Sequence, residues 1–193
     1  MDARYGGAPI GHHPLAGGCT GNATLTATLN VMQLELGRRA DYAIRAAVDL
    51  ARHAGDGGRR KARAIADVME IPASYVPQIL AELVRAGLVA SVAGRGGGYT
   101  LARPPDEIDL LAVVQAVDGE MVSTVCVLRG GPCRWDDMCA VHVPWARAQQ
   151  AMLDSLGETT LADLVEIDAA LEDGTYQIPD DVVRPRRGPG TAA

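Results

Sequence analysis

The chain has 193 residues, enough to bury a hydrophobic core, and this length suits one domain or a small domain with an appendage. No window approaches 18 uninterrupted apolar residues and the N-terminus has neither a basic leader nor an apolar stretch, so we expect no membrane span, no signal peptide and a cytoplasmic location. The net charge of −6 is unevenly distributed along the chain. Residues 32–105 hold 11 Lys and Arg against 7 Asp and Glu, whereas residues 106–193 hold 6 Lys and Arg against 16 Asp and Glu. A basic first part and an acidic second part are typical of a nucleic-acid-binding head joined to a regulatory or assembly region.

The two ends of the chain have the composition of disordered segments. Residues 1–31 contain six glycines, two prolines and almost no charge, and residues 174–193 are rich in proline with a run of arginines near the end. Neither segment can bury enough apolar surface to offset the entropy of ordering its backbone. We therefore expect a disordered N-terminal arm over 1–31 and a disordered tail over 174–193.

Three helices and a hairpin are predicted after the arm. Apolar residues at helical spacing predict a first helix over 39–53 and a short second helix over 62–69. A third helix is predicted over 75–86, with Ser74 as its N-cap and Gly87 following its end. Residues 88–92 and 99–102 read as strands around a glycine-rich turn. This order is that of a winged helix-turn-helix, which we assign to residues 32–105.

The second half of the chain, residues 106–173, is predicted to be helical around a cysteine-containing loop. A helix capped by Asp109 is expected over 110–117, and a last helix capped by Thr160 over 161–171. Between them a longer helix should start at Pro144 and stop at Gly157, with apolar residues spaced as in paired helices. The predicted fold class is therefore mainly α with a small β-hairpin wing, a winged helix-turn-helix plus a long dimerisation helix.

Polar residues at the start of the third helix are the candidates for reading DNA. Gln78 can form two hydrogen bonds with an adenine edge, and Ser74 or Tyr75 can hold a phosphate. Arg95 at the hairpin tip is placed to enter a narrow minor groove. Candidate phosphate contacts precede or begin the second helix: Arg59, Arg60, Lys61 and Arg63. The competing interpretation is a winged helix that only contacts proteins.

Three of the four cysteines fall within 14 residues and suggest a metal centre. Cys126, Cys133 and Cys139 are followed by His142, in a Gly- and Pro-containing loop between two predicted helices. Three thiolates and a nitrogen or oxygen ligand can bind a tetrahedral zinc or an iron-sulfur cluster, and the residue spacing alone leaves both open. Free thiols without a metal are the third alternative.

From Met32 to Asp168 the sequence resembles the Rrf family of bacterial winged helix-turn-helix transcription regulators, which includes IscR-like and NsrR-like iron-sulfur sensors. The matching segments are Asp41-Tyr42-Ala43, Ser74-Tyr75-Val76, Gln78-Ile79-Leu80, Arg85-Ala86-Gly87-Leu88-Val89, Gly94-Arg95-Gly96-Gly97-Gly98-Tyr99, Val114-Gln115-Ala116-Val117-Asp118-Gly119 and the three cysteines. One departure is that six residues separate Cys126 from Cys133, where five are common in the family. The resemblance implies homodimers on palindromic promoter sites, with a cluster near the dimer interface.

The resemblance offers two residues as the fourth cluster ligand. IscR-like members hold a 2Fe-2S cluster with a histidine three positions after the last cysteine, which His142 matches. NsrR-like members hold a 4Fe-4S cluster with an aspartate on the first helix of the partner subunit, which Asp41 matches. We favour Asp41 on mechanistic grounds, because a ligand on the first helix would connect the cluster directly to the DNA-binding head.

The function predicted from the sequence is a transcription regulator, a repressor, whose promoter binding responds to redox state, nitric oxide or iron-sulfur supply through the cluster. The first alternative is a zinc-stabilised regulator without sensing chemistry. The second is an enzyme that uses a Cys and His pair as nucleophile and base, which we disfavour because no activating set of residues lies outside the cysteine loop.

Overall fold

The structure is a computed structural model that describes residues 36–55, 58–121, 139–180 and 182. The elements in chain order are α1 (Arg38–Arg52), α2 (Ala62–Val68), α3 (Val76–Arg85), β1 (Val89–Val92), β2 (Gly98–Leu101), a 3-10 turn (Pro105–Glu107), α4 (Leu110–Asp118), α5 (His142–Glu158) and α6 (Leu161–Glu172). This mainly helical arrangement with one antiparallel hairpin confirms the predicted fold class. Three predicted features lie outside the described residues: the arm over 1–31, Cys126 and Cys133 with the loop predicted around them, and most of the tail.

Helix α1 is the centre of the hydrophobic core. Its predicted apolar stripe is buried as expected, with Ala43 and Ala46 fully covered and Leu50 only 2% exposed. The small alanine side chains let α3, α4 and α6 approach the α1 backbone closely, and α1 packs against all three. Arg52, in the last turn of α1, adds ion pairs to Asp168 and Glu172 on α6.

The helix-turn-helix forms as predicted, except at the start of α3. Helix α3 begins at Val76, its N-cap is Tyr75, and that cap makes no side-chain hydrogen bond. The prediction of Ser74 as the N-cap is therefore wrong: Ser74 lies in the preceding turn, which a hydrogen bond of 2.9 Å from Tyr75 N–H to Pro72 O closes. At the other end Gly87 has φ +72°, the left-handed conformation expected after a helix.

The hairpin pairs Val89 with Leu101 and Val92 with Gly98. Its turn requires glycine, because a Cβ on Gly97 would lie 2.0 Å from the Val92 carbonyl oxygen. Gly98 has φ +153° and would bring a Cβ within 2.7 Å of the Arg60 carbonyl oxygen. The wing therefore depends on these glycines for its shape.

Two of the three later helices start as predicted. The Asp109 side chain accepts a hydrogen bond of 2.7 Å from Ala112 N–H at the start of α4. Thr160 and Asp163 form a reciprocal capping box at the start of α6. A short β-bridge between Asp109 and Thr160 joins the two helix starts, so that both caps are held in one place.

Helix α5 departs from the prediction at both ends. It starts at His142 rather than Pro144 and continues through Gly157 to Glu158. Pro144 is tolerated because it lies in the first turn, where its missing N–H has no intrahelical partner. None of the 17 residues of α5 is buried within this chain. Within the described part of the chain, no helix has both the length and the apolar character needed to cross a membrane.

Candidate DNA-binding surface and cysteine loop

The exposed side of α3 carries the residues that the sequence predicts to read DNA. Val76, Ile79, Leu80 and Leu83 face the core. Gln78 is exposed, and the Tyr75 residue is 47% exposed. The centroid of the Tyr75 ring lies 5.5 Å from that of the Tyr42 ring on α1, and the two ring planes are inclined by 54°. This is the geometry of a favourable aromatic pair. Ser74, Tyr75 and Gln78 thus share one accessible surface at the start of α3.

An ion pair fixes α3 against α1. Glu82 is buried on α3, and its carboxylate accepts a hydrogen bond of 2.8 Å from Arg39 at the start of α1. This hydrogen bond, and then the charge of Glu82, raises the pKa of Arg39 above its ordinary value. Asp118 at the end of α4 adds a smaller attraction in the same direction. Arg39 therefore connects the start of α1 to α3.

The wing presents Arg95 at its tip. Arg95 and Arg59 are both exposed, as a role in DNA binding requires. Lys61 is also exposed, but its ammonium group donates hydrogen bonds to the backbone oxygens of Arg95 at 2.9 Å and Gly94 at 3.5 Å. Arg63 lies on the exposed side of α2, 3.7 Å from Asp67.

Arg60 has a different place from the one expected. Its guanidinium group donates two hydrogen bonds of 2.8 Å to the carboxylate of Asp49, whose side chain is 1% exposed. This pair raises the pKa of Arg60. This pairing with a buried carboxylate disfavours the interpretation of Arg60 as a phosphate contact, which stays a prediction. The sequence carried a signal for the burial of Asp49, though not for its partner: Asp49 lies three residues after Ala46 and next to Leu50, on the apolar stripe of α1.

Only part of the candidate metal centre is described. Cys139 is half-buried and is not in a disulfide, and its carbonyl oxygen accepts a hydrogen bond of 3.0 Å from His142 N–H. His142 is exposed one turn later, at the start of α5. Within residues 36–55, 58–121 and 139–180, no three His, Cys, Asp or Glu residues are close enough to hold a metal ion. The predicted set needs Cys126 and Cys133, which lie outside these ranges.

Asp41, the other candidate fourth ligand, is in the first turn of α1 and its side chain is 40% exposed. Both of its carboxylate oxygens accept hydrogen bonds from Arg45, at 2.9 and 2.6 Å. Arg45 also donates a hydrogen bond of 3.2 Å to the carbonyl oxygen of Met69, which follows α2. Among the described candidates, the thiol of Cys139 and the imidazole of His142 are donor types found at iron-sulfur clusters.

A helix-turn-helix with exposed polar residues on its second helix, followed by a hairpin with an arginine at its tip, defines the winged helix-turn-helix class of DNA-binding proteins. The family profile described as "Rrf2: Iron-dependent Transcriptional regulator" matches residues 36–167. The chain therefore belongs to the Rrf2 family of transcription regulators, which confirms the resemblance read from the sequence.

Individual relatives agree with this assignment. The chain is 34% identical over 158 residues to the HTH-type transcriptional regulator IscR of Erwinia tasmaniensis, covering 80% of this chain and 93% of that protein. Among solved structures, CymR, the global cysteine regulator of B. subtilis, shares 30% identity and a TM-score of 0.60, covering 69% of this chain and 98% of CymR. T. potens IscR shares 28% identity and a TM-score of 0.59, covering 77% and 96%. These relatives are regulators, and the chain is accordingly a transcription regulator rather than an enzyme.

Proposed function

We propose that this Rrf2-family regulator binds palindromic promoter DNA as a homodimer, and that an iron-sulfur cluster controls this binding. The observation that carries the proposal is the chain of contacts from Asp41 through Arg45 to the Met69 carbonyl, which joins a candidate cluster ligand to the helix-turn-helix. The iron named in the family description and the relatives named IscR also support an iron cofactor.

Cys126, Cys133 and Cys139 would hold the cluster, with Asp41 of the partner subunit or His142 as the fourth ligand. When bound, the cluster would supply iron that changes redox state and reacts with nitric oxide. Asp41 is our preferred ligand because its carboxylate is accessible and belongs to the helix at the centre of the DNA-binding head.

Residues of α1 would transmit a change at the cluster to the helix-turn-helix. A carboxylate that uses one oxygen as a ligand keeps one for Arg45, so the two hydrogen bonds between Asp41 and Arg45 would become one. Arg45 would then be free to change its contact with Met69 O, just before the turn that leads into α3. Couplings of this kind are typically worth about 1–3 kcal/mol, which is enough to change promoter occupancy.

Helix α5 is the proposed dimerisation element. Trp145, Met152 and Leu156 are only half-buried within one chain, and apolar residues at this spacing are suited to pairing with a second copy. A two-fold dimer would present two α3 helices to half-sites about one helical turn apart. Occupancy of such a site within a promoter would block transcription, so we propose a repressor that acts in the cytoplasm.

The test combines spectroscopy with DNA binding on anaerobically purified protein. Iron and sulfide in equal amounts, with absorbance near 400 nm, support the cluster. DNA fragments selected from a random library should then be bound with different affinity by cluster-loaded and cluster-free protein. Cys133→Ser should abolish the cluster, and Cys19→Ser, a cysteine outside the loop, is the matched control. A colourless protein with one zinc per chain would contradict the sensing proposal and leave a zinc-stabilised regulator.

A further inference from the structure

Arg60, in the segment before α2, pairs with the edge of the wing through an isolated β-bridge to Tyr99. The Arg60 N–H donates a hydrogen bond of 2.9 Å to the Tyr99 carbonyl oxygen, and the Tyr99 N–H donates one of 2.8 Å to the Arg60 carbonyl oxygen. This bridge joins the segment before α2 to β2. The two-stranded wing is therefore supported along one edge by a third piece of chain.

The side chains of Arg60 and Lys61 bind two different parts of the head, helix α1 and the wing tip. Arg60 is anchored to α1 through its paired hydrogen bonds with the buried carboxylate of Asp49. The next residue, Lys61, reaches the wing tip and donates hydrogen bonds to the carbonyl oxygens of Arg95 and Gly94. Together the two residues connect the tip of the wing to the core of the DNA-binding head.

The wing tip needs such a support. It contains Gly94, Gly96 and Gly97 around Arg95, and glycine has more backbone freedom to lose than any other residue. A hydrogen bond of 3.0 Å from Gly97 N–H to Gly94 O closes the turn, but it does not fix the turn against the rest of the head, and without a further partner the turn would present Arg95 in several positions. Binding DNA would then incur the cost of ordering the turn, which a preorganised turn avoids.

We propose that Lys61 is a positioning residue, which acts on DNA binding chiefly by fixing the turn that carries Arg95 rather than as an independent phosphate contact. The inference rests on the proposed function, because it assumes that Arg95 enters the minor groove beside the half-site read by α3. Its ligand is accordingly double-stranded DNA with a narrow minor groove next to that half-site.

A double-mutant cycle tests the proposal on the whole protein. Lys61→Met should weaken binding to a selected DNA site about tenfold, whereas in an Arg95→Ala background the same change should cost less than about twofold. Arg63→Met removes an equal charge from α2 and is the matched control; its effect should be the same in both backgrounds. Equal losses from Lys61→Met with and without Arg95 would overturn the proposal, because they indicate an independent phosphate contact.

Hydrogen exchange of the free protein provides a second readout that needs no DNA. The Gly97 amide, which donates a hydrogen bond of 3.0 Å to the Gly94 carbonyl oxygen across the turn, should exchange faster in Lys61→Met than in wild type, and Arg63→Met should leave its exchange unchanged. Unchanged exchange in Lys61→Met would overturn the inference by itself. A wild-type protein that selects no DNA sequence would instead overturn the proposed function, so the two failures are distinguishable.

Discussion

Arg45 binds both carboxylate oxygens of Asp41 and, through a third hydrogen bond, the carbonyl oxygen of Met69. One arginine thus joins the first turn of α1 to the residue that follows α2. Any new partner for Asp41 therefore has to compete with a side chain that also contacts the helix-turn-helix.

The first prediction concerns the fourth cluster ligand. Asp41→Asn removes the anionic oxygen ligand, and we expect it to lose the cluster during anaerobic purification, whereas His142→Gln should retain it. Iron and sulfide content and the visible absorption spectrum provide the measurement. Cys139→Ser is the positive control for cluster loss. The opposite result, loss in His142→Gln and retention in Asp41→Asn, would assign the ligand to His142.

The second prediction concerns the buried pair of Asp49 and Arg60. Asp49→Asn leaves the Arg60 guanidinium without its counter-charge, and we expect the free energy of unfolding to fall by about 3 kcal/mol. Urea unfolding of wild type and Asp49→Asn, at equal metal content, measures this fall in the free energy of unfolding. Asp67→Asn breaks an exposed pair with Arg63 and should change stability by less than about 0.5 kcal/mol. Similar small losses in both variants would show that the buried pair contributes little.

The third prediction concerns Gln78. Truncation to alanine should cost about 1–3 kcal/mol of binding to the selected site and should relax the preference at one base pair. Binding to unrelated DNA should stay the same, because no phosphate contact is removed. Gln177→Ala, an exposed glutamine in the C-terminal segment, serves as the control. An equal loss on all DNA sequences would contradict a base-reading role.

The fourth prediction is a pH dependence at the start of α6. The hydrogen bonds from the Thr160 side chain and backbone lower the pKa of Asp163. A carboxyl group with a lowered folded pKa stabilises the protein above its unfolded value of about 3.9, and this contribution is lost as the pH falls through the folded pKa. Asp163→Asn should therefore be less stable than wild type at pH 7, and the difference should shrink below about pH 4. A difference that does not vary with pH would contradict the capping box.

The helix-turn-helix and the wing could be predicted from the sequence because local signals set them. The alanine stripe of α1, the helix-ending Gly87 and the Asp109 and Thr160 caps each act within a few residues, and all occur as expected. The N-cap of α3 is Tyr75 rather than the predicted Ser74, because the cap preference of serine competes with the turn that the hydrogen bond from Tyr75 N–H to Pro72 O closes.

Side-chain contacts between residues far apart in the sequence could not be predicted in the same way. Only the folded chain brings together the ion pairs Asp49–Arg60 and Arg39–Glu82 and the hydrogen bonds from Lys61 to the wing tip. The exposed residues Arg59, Ser74, Tyr75, Gln78 and Arg95 remain predictions as DNA contacts, and so do all the metal ligands.

The most direct test is the DNA affinity of one anaerobic preparation, measured before and after removal of the cluster on the same selected promoter fragment. We expect the affinity to change by about fivefold or more, and the change should be absent in Cys133→Ser, which never holds the cluster. Equal affinity of the cluster-loaded and cluster-free wild-type proteins, on every fragment selected by either, would contradict the account.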